Sequence, residues 1–370
     1  MHLYLKERMP DMKRIKNNIV PILVFVLTFI AFQYSGISFG FLASEVYTRF
    51  IRNVLFTLAL ILPVACGMGI NFAIVVGAIS TQMAIVFALD FNYTGIKVIA
   101  FTLIVSMILA IIFGMLVAWL LNKATEREMI VSIMIGQISS VMYQFIFMVG
   151  YGTIIVPKNE AIMLDRGIGV KSVIDAKNIS EAFDQILPVT IGGRQVSLFP
   201  LILILFFTLL LCYIQKTRLG VLSRAVGMNR NTANMLGISS ARIRALCIII
   251  STVFAAMSQL LLIADYGTMN VYTGHLGIDT YAAAAILVGG ATIKQAKIRN
   301  CFIGVLLFHA LFITSPLAGQ NLFNNPSVGE YFRSFLAYGI IVIAIILNLR
   351  AEKGKKDQLG LEAMPLNKSH

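Results

Sequence analysis

The feature that most constrains this chain is a series of apolar runs, each near the length that crosses the ~30 Å hydrocarbon core of a bilayer. They cover 18–35, 53–69, 71–90, 97–121, 129–151, 199–215, 244–264, 278–293, 299–316 and 334–349. The chain is 58% hydrophobic and 13% charged, whereas a soluble domain carries about 25% charged residues. A chain this apolar lacks the polar surface that water requires, so lipid is the solvent that fits. Inside lipid a backbone must satisfy its own hydrogen bonds, which favours helices. The expected fold is therefore an all-α polytopic membrane protein with about ten transmembrane segments.

The second and third runs are separated only by Gly67-Met68-Gly69. Read as one, residues 53–90 would be too long for a single crossing, and glycines are where a helix breaks most readily. The first run follows a basic start and resembles a signal peptide. It lacks a small-residue cleavage site, so it is expected to be a retained helix.

Charge placement sets the orientation. With ten spans and both termini in the cytoplasm, 1–17, 122–128, 216–243, 294–298 and 350–370 lie inside. These segments and the adjoining helix ends hold 21 of the 30 Lys and Arg residues, which agrees with the positive-inside rule. The segment 216–244 carries Lys216, Arg218, Arg224, Arg230, Arg242 and Arg244 and no acidic residue. The net charge of +13 is thus spread over short inter-span segments, which excludes nucleic acid as the expected partner.

The organisation that follows is a basic N-terminus (1–17), five spans (18–151), an outer loop (152–198), five further spans (199–349) enclosing the basic segment 216–243, and a tail (350–370). The outer loop is too long to be a simple connection. Alternation in Lys171-Ser172-Val173-Ile174 and Arg194-Gln195-Val196-Ser197, with Gly192-Gly193 between, predicts a small hairpin or short helices there. An internal echo links Gly69-Ile70-Asn71-Phe72-Ala73 to Gly277-Ile278-Asp279-Thr280-Tyr281-Ala282. The two would leave opposite sides of the membrane, as the halves of an inverted repeat do.

No catalytic constellation is present. The sequence has no G-x-x-x-x-G-K-[ST] phosphate loop and no H-E-x-x-H. His2, His275, His309 and His370 are scattered, and only His309 falls in a span other than at its edge. Cys66, Cys212, Cys247 and Cys301 sit in or beside apolar runs with no C-x-x-C pair, and read as buried thiols. No metal is expected. The spans lack deeply placed Asp, Glu, Lys or Arg, which argues against a proton- or sodium-coupled carrier. Polar candidates for a solute pathway are Asn71, Gln82, Gln137, Gln144 and Gln259, since an amide in lipid needs a partner. Gln137 and Gln144 stand two turns apart on one span. Phe72 and Tyr143 could stack on a solute, although packing is the commoner use of a helical aromatic.

The most specific stretch is Thr217-Arg218-Leu219-Gly220, Ala225-Val226-Gly227-Met228-Asn229, Ala233 and Leu236-Gly237-Ile238. Asn229 or Asn231 can cap a short helix over Thr232–Leu236 and Gly237 can end it. This is a compact knob for a partner, or else an ordinary basic connection. The stretch resembles the T-R-x-G, A-x-G-x-N, A, G-I loop of bacterial ABC importer permeases of the ribose/simple-sugar and branched-chain amino acid type. A second block, Gly277-Ile278-Asp279, Ala282–Ala285, Leu287, Val288-Gly289-Gly290 and Thr292, resembles their E-L-D-A-I-A-A-V-V-L-G-G-T stretch. The resemblance covers roughly 18–350. Where the family reads G-x-I-D-L-S-V-G, this chain has Gly69-Ile70-Asn71-Phe72-Ala73-Ile74-Val75-Val76-Gly77, with Asn71 for Asp and Ala73 for Ser.

The resemblance implies a type II ABC importer permease in a bacterial cell membrane, paired with a second copy or a sister permease. Cytoplasmic ABC ATPase subunits would dock on Arg218, Gly227, Asn229, Ala233, Leu236 and Gly237. An extracellular solute-binding protein would meet the outer face. ATP and Mg²⁺ would belong to the ATPase, with no cofactor on this chain. Asn71, Phe72, Gln82, Gln137, Gln144, Gln259 and Asp279 would line the path of a small polar solute, sugar or sugar-like. The altered glycine block and the long outer loop leave a nucleoside or an amino acid open. A carrier or channel without an ATPase, and a membrane scaffold, are the readings from other classes.

Overall fold

The computed structural model describes residues 2–165, 167–191, 194–325 and 327–335, together with 338, 339, 342 and 346. Its helices follow the apolar runs. α1 (His2–Ser35) leads into α2 (Phe39–Ala59), which continues after Leu60 as the short α3 (Ile61–Ala65). A single 3₁₀ turn at Phe72–Ile74 opens α4 (Val75–Asp90), followed by α5 (Ile96–Lys123) and α6 (Glu128–Phe145), the last extended by a π turn at Ile146–Gly150. After a connecting layer come α8 (Phe199–Lys216), α9 (Arg218–Met228), α10 (Arg230–Met235), α11 (Ser240–Tyr266), α12 (Ile278–Val288) and α13 (Ile298–Phe323).

Among the described residues, seven helices are long and apolar enough to cross a membrane: Phe39–Ala65, Phe72–Asp90, Ile96–Lys123, Glu128–Gly150, Phe199–Lys216, Ser240–Tyr266 and Ile298–Phe323. The apolar stretches Ile19–Ser35 and Ile278–Val288 are shorter. The run 334–349 lies largely outside the described residues. Of the ten expected segments, seven correspond to helices long enough to cross. The run 278–293 yields a helix of 11 residues, about 16 Å at 1.5 Å per residue and half a bilayer core. It stops because Gly289 and Gly290 end it, Gly290 with φ +83°. The break expected at Gly67–Gly69 is present, with both glycines left-handed at φ +75° and +72°.

α4 and α11 form the centre, and α11 packs on α2, α4 and α5. The α4 span is 83% buried within the chain, against 22% for the α8 span, which puts α8 on the rim. Small residues permit the central contact. A Cβ on Gly77 would sit 2.8 Å from the Ala255 methyl and 3.0 Å from the Ala256 nitrogen. Thr81 Oγ1 donates to the Ala256 carbonyl at 2.7 Å. This is how helices associate where no hydrophobic force separates protein from solvent. α1 and α12 pack on α13 as a second unit, joined so closely that Gly304 lies against the Ala285 carbonyl and Gly289 against that of Asn300.

The segment between α6 and α8 is a layer of its own. It holds a 3₁₀ turn (Glu160–Ile162), β1 (Val173–Asp175), α7 (Lys177–Gln185), β2 (Pro188–Ile191) and β3 (Arg194–Ser197). β2 and β3 form the hairpin that the Arg194–Ser197 alternation suggested. β1 pairs elsewhere, with β4 (Thr268–Asn270) after α11, aligning Ile174 with Met269. Both side chains are buried. Asp90, at the end of α4, anchors the layer by accepting the Lys158 and Asn159 amides at 2.8 and 3.1 Å.

Overpacking a tight core costs about 1–3 kcal/mol. Gly77→Val is therefore expected to lower the melting temperature of the detergent-purified chain by several degrees, measured by differential scanning fluorimetry. Gly40→Ala, where an added Cβ meets nothing within 4 Å, is expected to leave it unchanged.

Candidate functional site

Two regions concentrate polar chemistry, one at each end of the α4–α11 core. The first is the end rich in basic residues. There Asn229 caps α10, its Oδ1 accepting the Thr232 amide at 3.1 Å. The helix begins at Arg230, two residues earlier than the spacing suggested. Gly237 ends it with φ +77°, and the Ile238 amide returns to the Ala233 carbonyl at 3.0 Å, the glycine-terminated closure that satisfies last-turn carbonyls. Ala233 is buried, while Met228, Met235 and Leu236 are 86%, 87% and 74% exposed. The knob thus shows three large apolar side chains to the outside. Arg218 is exposed at the first turn of α9.

This knob is fastened to the core. Gly227 lies against the Ala65 carbonyl, and a Cβ there would also reach 3.0 Å from the Gly67 nitrogen. Only glycine lets α9 rest on the end of α3. Arg230 donates to Thr125 Oγ1 at 2.7 Å, and Asn122 Nδ2 to the Ala241 carbonyl at 3.0 Å. Arg244 of α11 pairs with Glu128 of α6 at 2.5 Å, with side chains 3% and 13% exposed. Removing one partner of such a pair would strand the other charge, a loss of about 3–5 kcal/mol.

The second region is the turn 270–276 between β4 and α12. Three glutamines on three helices each donate a side-chain amide to one of its carbonyls. Gln82 of α4 reaches Asn270 at 3.3 Å. Gln144 of α6 reaches Tyr272 at 2.8 Å. Gln259 of α11 reaches Gly274 at 3.3 Å. Gln82 lies eight residues before the end of α4 and Gln259 seven before that of α11, so the turn dips about 10 Å below the helix ends at 1.5 Å per residue. Gly274 is required where the turn meets Gln82, since a Cβ would stand 2.8 Å from Nε2. His275 Nδ1 shares a hydrogen with Gln82 Oε1 at 2.9 Å, and its ring meets Tyr143 edge-on at 5.2 Å. Tyr272 donates its hydroxyl to the Val170 carbonyl at 2.6 Å, tying the turn to the β1 layer.

The seven residues expected along a pathway fall in different places. Gln82, Gln144 and Gln259 meet at the turn. Asn71 and Phe72 lie at the opposite end of α4. Asn71 Oδ1 accepts the Ala73 amide at 3.1 Å and its Nδ2 reaches Ser251 at 3.4 Å, while the Phe72 amide donates to Ser132 Oγ at 3.1 Å. Gln137 is exposed on α6, apart from its neighbour two turns on. Asp279 is half-buried and accepts the Thr280 amide at 2.8 Å. His275 and Tyr272 were not singled out from sequence as site residues, because nothing local distinguishes them. His309 is buried among Phe308 and Phe312, away from the turn. Among the described residues no three His, Cys, Asp or Glu side chains form a metal-binding group. The layer outside the turn holds a half-open pocket of about 340 Å³ lined in part by Asn159, Lys171, Asp175 and Asn178.

Comparison with known proteins adds to this geometry. The family described as branched-chain amino acid transport system / permease component matches residues 42–345. The chain is 28% identical to the high-affinity branched-chain amino acid transport system permease protein BraD of Pseudomonas aeruginosa, over 43% of its own length and 47% of the relative's. It is 32% identical to the probable ABC transporter permease protein YphD of Escherichia coli, over 45% and 50%. It is 27% identical to the fructose import permease protein FruF of Bifidobacterium longum, over 44% and 45%. The chain thus spans about half the length of these curated relatives. No solved structure matches.

A buried carbonyl left without its donor costs about 1–3 kcal/mol. Gln259→Leu is therefore expected to raise amide hydrogen exchange across 268–277, read by mass spectrometry in detergent or nanodiscs. Gln137→Leu is expected to leave that exchange unchanged, because Gln137 makes no contact with the turn.

Proposed function

From its membership of the branched-chain amino acid transport system / permease component family, to which the chain belongs, we propose that it is the pore-forming subunit of an ATP-driven importer in a bacterial cell membrane. The chain is a multi-pass membrane protein of a transport family. The basic end is the cytoplasmic one, by the distribution of Lys and Arg, and both termini lie there. The observation that carries the reading is the capped knob. α10 is short, closed at both ends by Asn229 and Gly237, and exposes Met235, flanked by exposed Met228 at the end of α9 and by exposed Leu236 at its own C-cap. Exposed methionines on a rigid element suit a groove in a protein partner. That partner is a cytoplasmic ABC ATPase, which binds ATP and Mg²⁺. A second copy of this chain or a sister permease completes the pore.

An extracellular binding protein delivers the solute to the layer formed by β1, α7 and the β2–β3 hairpin. The two broken segments, unwound after Gly69 at one end and before Ile278 at the other, suit an inverted repeat whose halves rock in alternation. For the solute we favour a small neutral polar molecule, sugar or sugar-like. The side chains that gather at the turn are amides, phenols and an imidazole, with no carboxylate or guanidinium among them. The names of the Bifidobacterium relative and of the Pseudomonas relative support a sugar and an amino acid respectively. An amino acid is therefore the second reading.

Uptake of labelled fructose, ribose and leucine into proteoliposomes that hold the chain, its ATPase and its binding protein separates these readings. The expected result is ATP-dependent uptake of a sugar. Leucine uptake would select the second reading, and uptake driven by a proton gradient without ATP would select a carrier. Met235→Glu, at an exposed position that leaves the fold intact, is expected to abolish ATP-dependent uptake. Undiminished uptake by that variant would remove the knob from the coupling path.

A further inference from the structure

Two cysteines distant in sequence meet in the core at the basic end. Cys66 caps the end of α3, and Cys247 lies on α11, less than one turn after Arg244. Their sulfur atoms are 2.9 Å apart, inside the van der Waals contact of two sulfurs, and both thiols are free and buried. A disulfide needs about 2.05 Å, so an approach of about 0.9 Å closes the bond. The other two cysteines are placed differently. Cys301 Sγ faces the Thr57 carbonyl at 3.5 Å, and Cys212 is half-buried on α8.

The location gives the pair a consequence. The residue after Cys66 is Gly67, whose added Cβ would touch the Gly227 Cα at 3.0 Å. α3 is therefore the surface on which α9 rests, and α9 leads directly into the knob. On the other side, Cys247 sits between Arg244, which holds α6 through Glu128, and Ser251, which holds Asn71. A covalent link between 66 and 247 would tie α3 to α11 beside the point where α9 rests on α3.

We propose that Cys66 and Cys247 form a reversible redox brake. In oxidation the two thiols release two protons, one S–S bond forms, and two electrons pass to a membrane-permeant two-electron acceptor of the quinone or diazenedicarboxamide class. Reduction by a dithiol restores both thiols. Disulfides of proteins in reducing compartments, where they form, are usually transient, and these two sulfurs stand close enough to form one. The link closes a loop of 181 residues of sequence separation, so its formation also stabilises the linked state against unfolding. Both sulfurs are buried, so the oxidant must be small and apolar enough to reach them.

The chemistry stands on the two sulfurs alone, and the braking effect rests on the importer reading above. The test treats the full chain, in proteoliposomes with its ATPase and binding protein, with diamide. It then denatures the sample in excess N-ethylmaleimide and maps peptides by mass spectrometry. The expected product is a peptide pair linked through Cys66 and Cys247, reversed by dithiothreitol, while Cys212 and Cys301 appear as alkylated thiols. ATP-dependent uptake is expected to fall by an order of magnitude in the oxidised sample and to return on reduction. Cys66→Ala and Cys247→Ala are each expected to transport normally and to be indifferent to diamide. Recovery of both Cys66 and Cys247 as alkylated thiols, when diamide does link a denatured control, would overturn the site. A linked peptide with unchanged uptake, in a preparation whose reduced form transports, would overturn the brake.

Discussion

A stretch of non-helical backbone below the ends of apolar helices has carbonyls that no helix satisfies, so they need partners within the turn or on side chains. In this chain that stretch is the turn 270–276, and three glutamine side chains meet its carbonyls at 270, 272 and 274. Irregular backbone at membrane depth is tolerated only where protein or a water-filled cavity supplies the missing partners. The glutamines come from α4, α6 and α11, so the turn can exist only where those helices stand together. The turn lies at the N-terminal end of the 11-residue helix α12, on the side of the β layer, and Gly289-Gly290 close the other end.

The close approach of α4 and α11 is what brings Gln82 and Gln259 to the same turn. Gly77 and Ala255 allow it, and Thr81 adds a hydrogen bond across it. At the other end of α4 the same problem is solved again with different groups. There the unwound residues after Gly69 find Asn71 and Ser132 as partners for the Ala73 and Phe72 amides. Asn71 in place of the family's Asp is physically coherent with this. A neutral amide can accept from Ala73 with its oxygen and donate to Ser251 with its nitrogen, which a carboxylate cannot do, having no donor when ionised.

Most helices were legible in the sequence because hydrophobic run length is a one-dimensional property. The break at Gly67–Gly69 was legible for the same local reason, as was the capped helix α10, whose Asn and Gly signals lie within nine residues of each other. The run 278–293 misled because composition measures apolarity and not helicity, and Gly289-Gly290 end the helix before the apolar stretch ends. The pairing of β1 with β4 was not legible either. Its partners are some 95 residues apart, and the alternation at Lys171–Ile174 fits a local hairpin equally well. The role of His275 depends on Gln82 and Tyr143, neither of which is near it in sequence.

α11 carries the argument from one end of the molecule to the other. Along its length Arg244 holds α6, Cys247 meets Cys66, Ser251 holds Asn71, and Gln259 holds the turn. The knob reaches this helix directly through Ser240, which bonds Arg230 and Asn234, and indirectly through Gly227 and α3. A helix of 27 residues with continuous backbone hydrogen bonds moves as a rod rather than bending at one point. The same rod therefore carries both the contact with Cys66 and the anchor of the Gly274 carbonyl, so an axial shift of α11 would be felt at both.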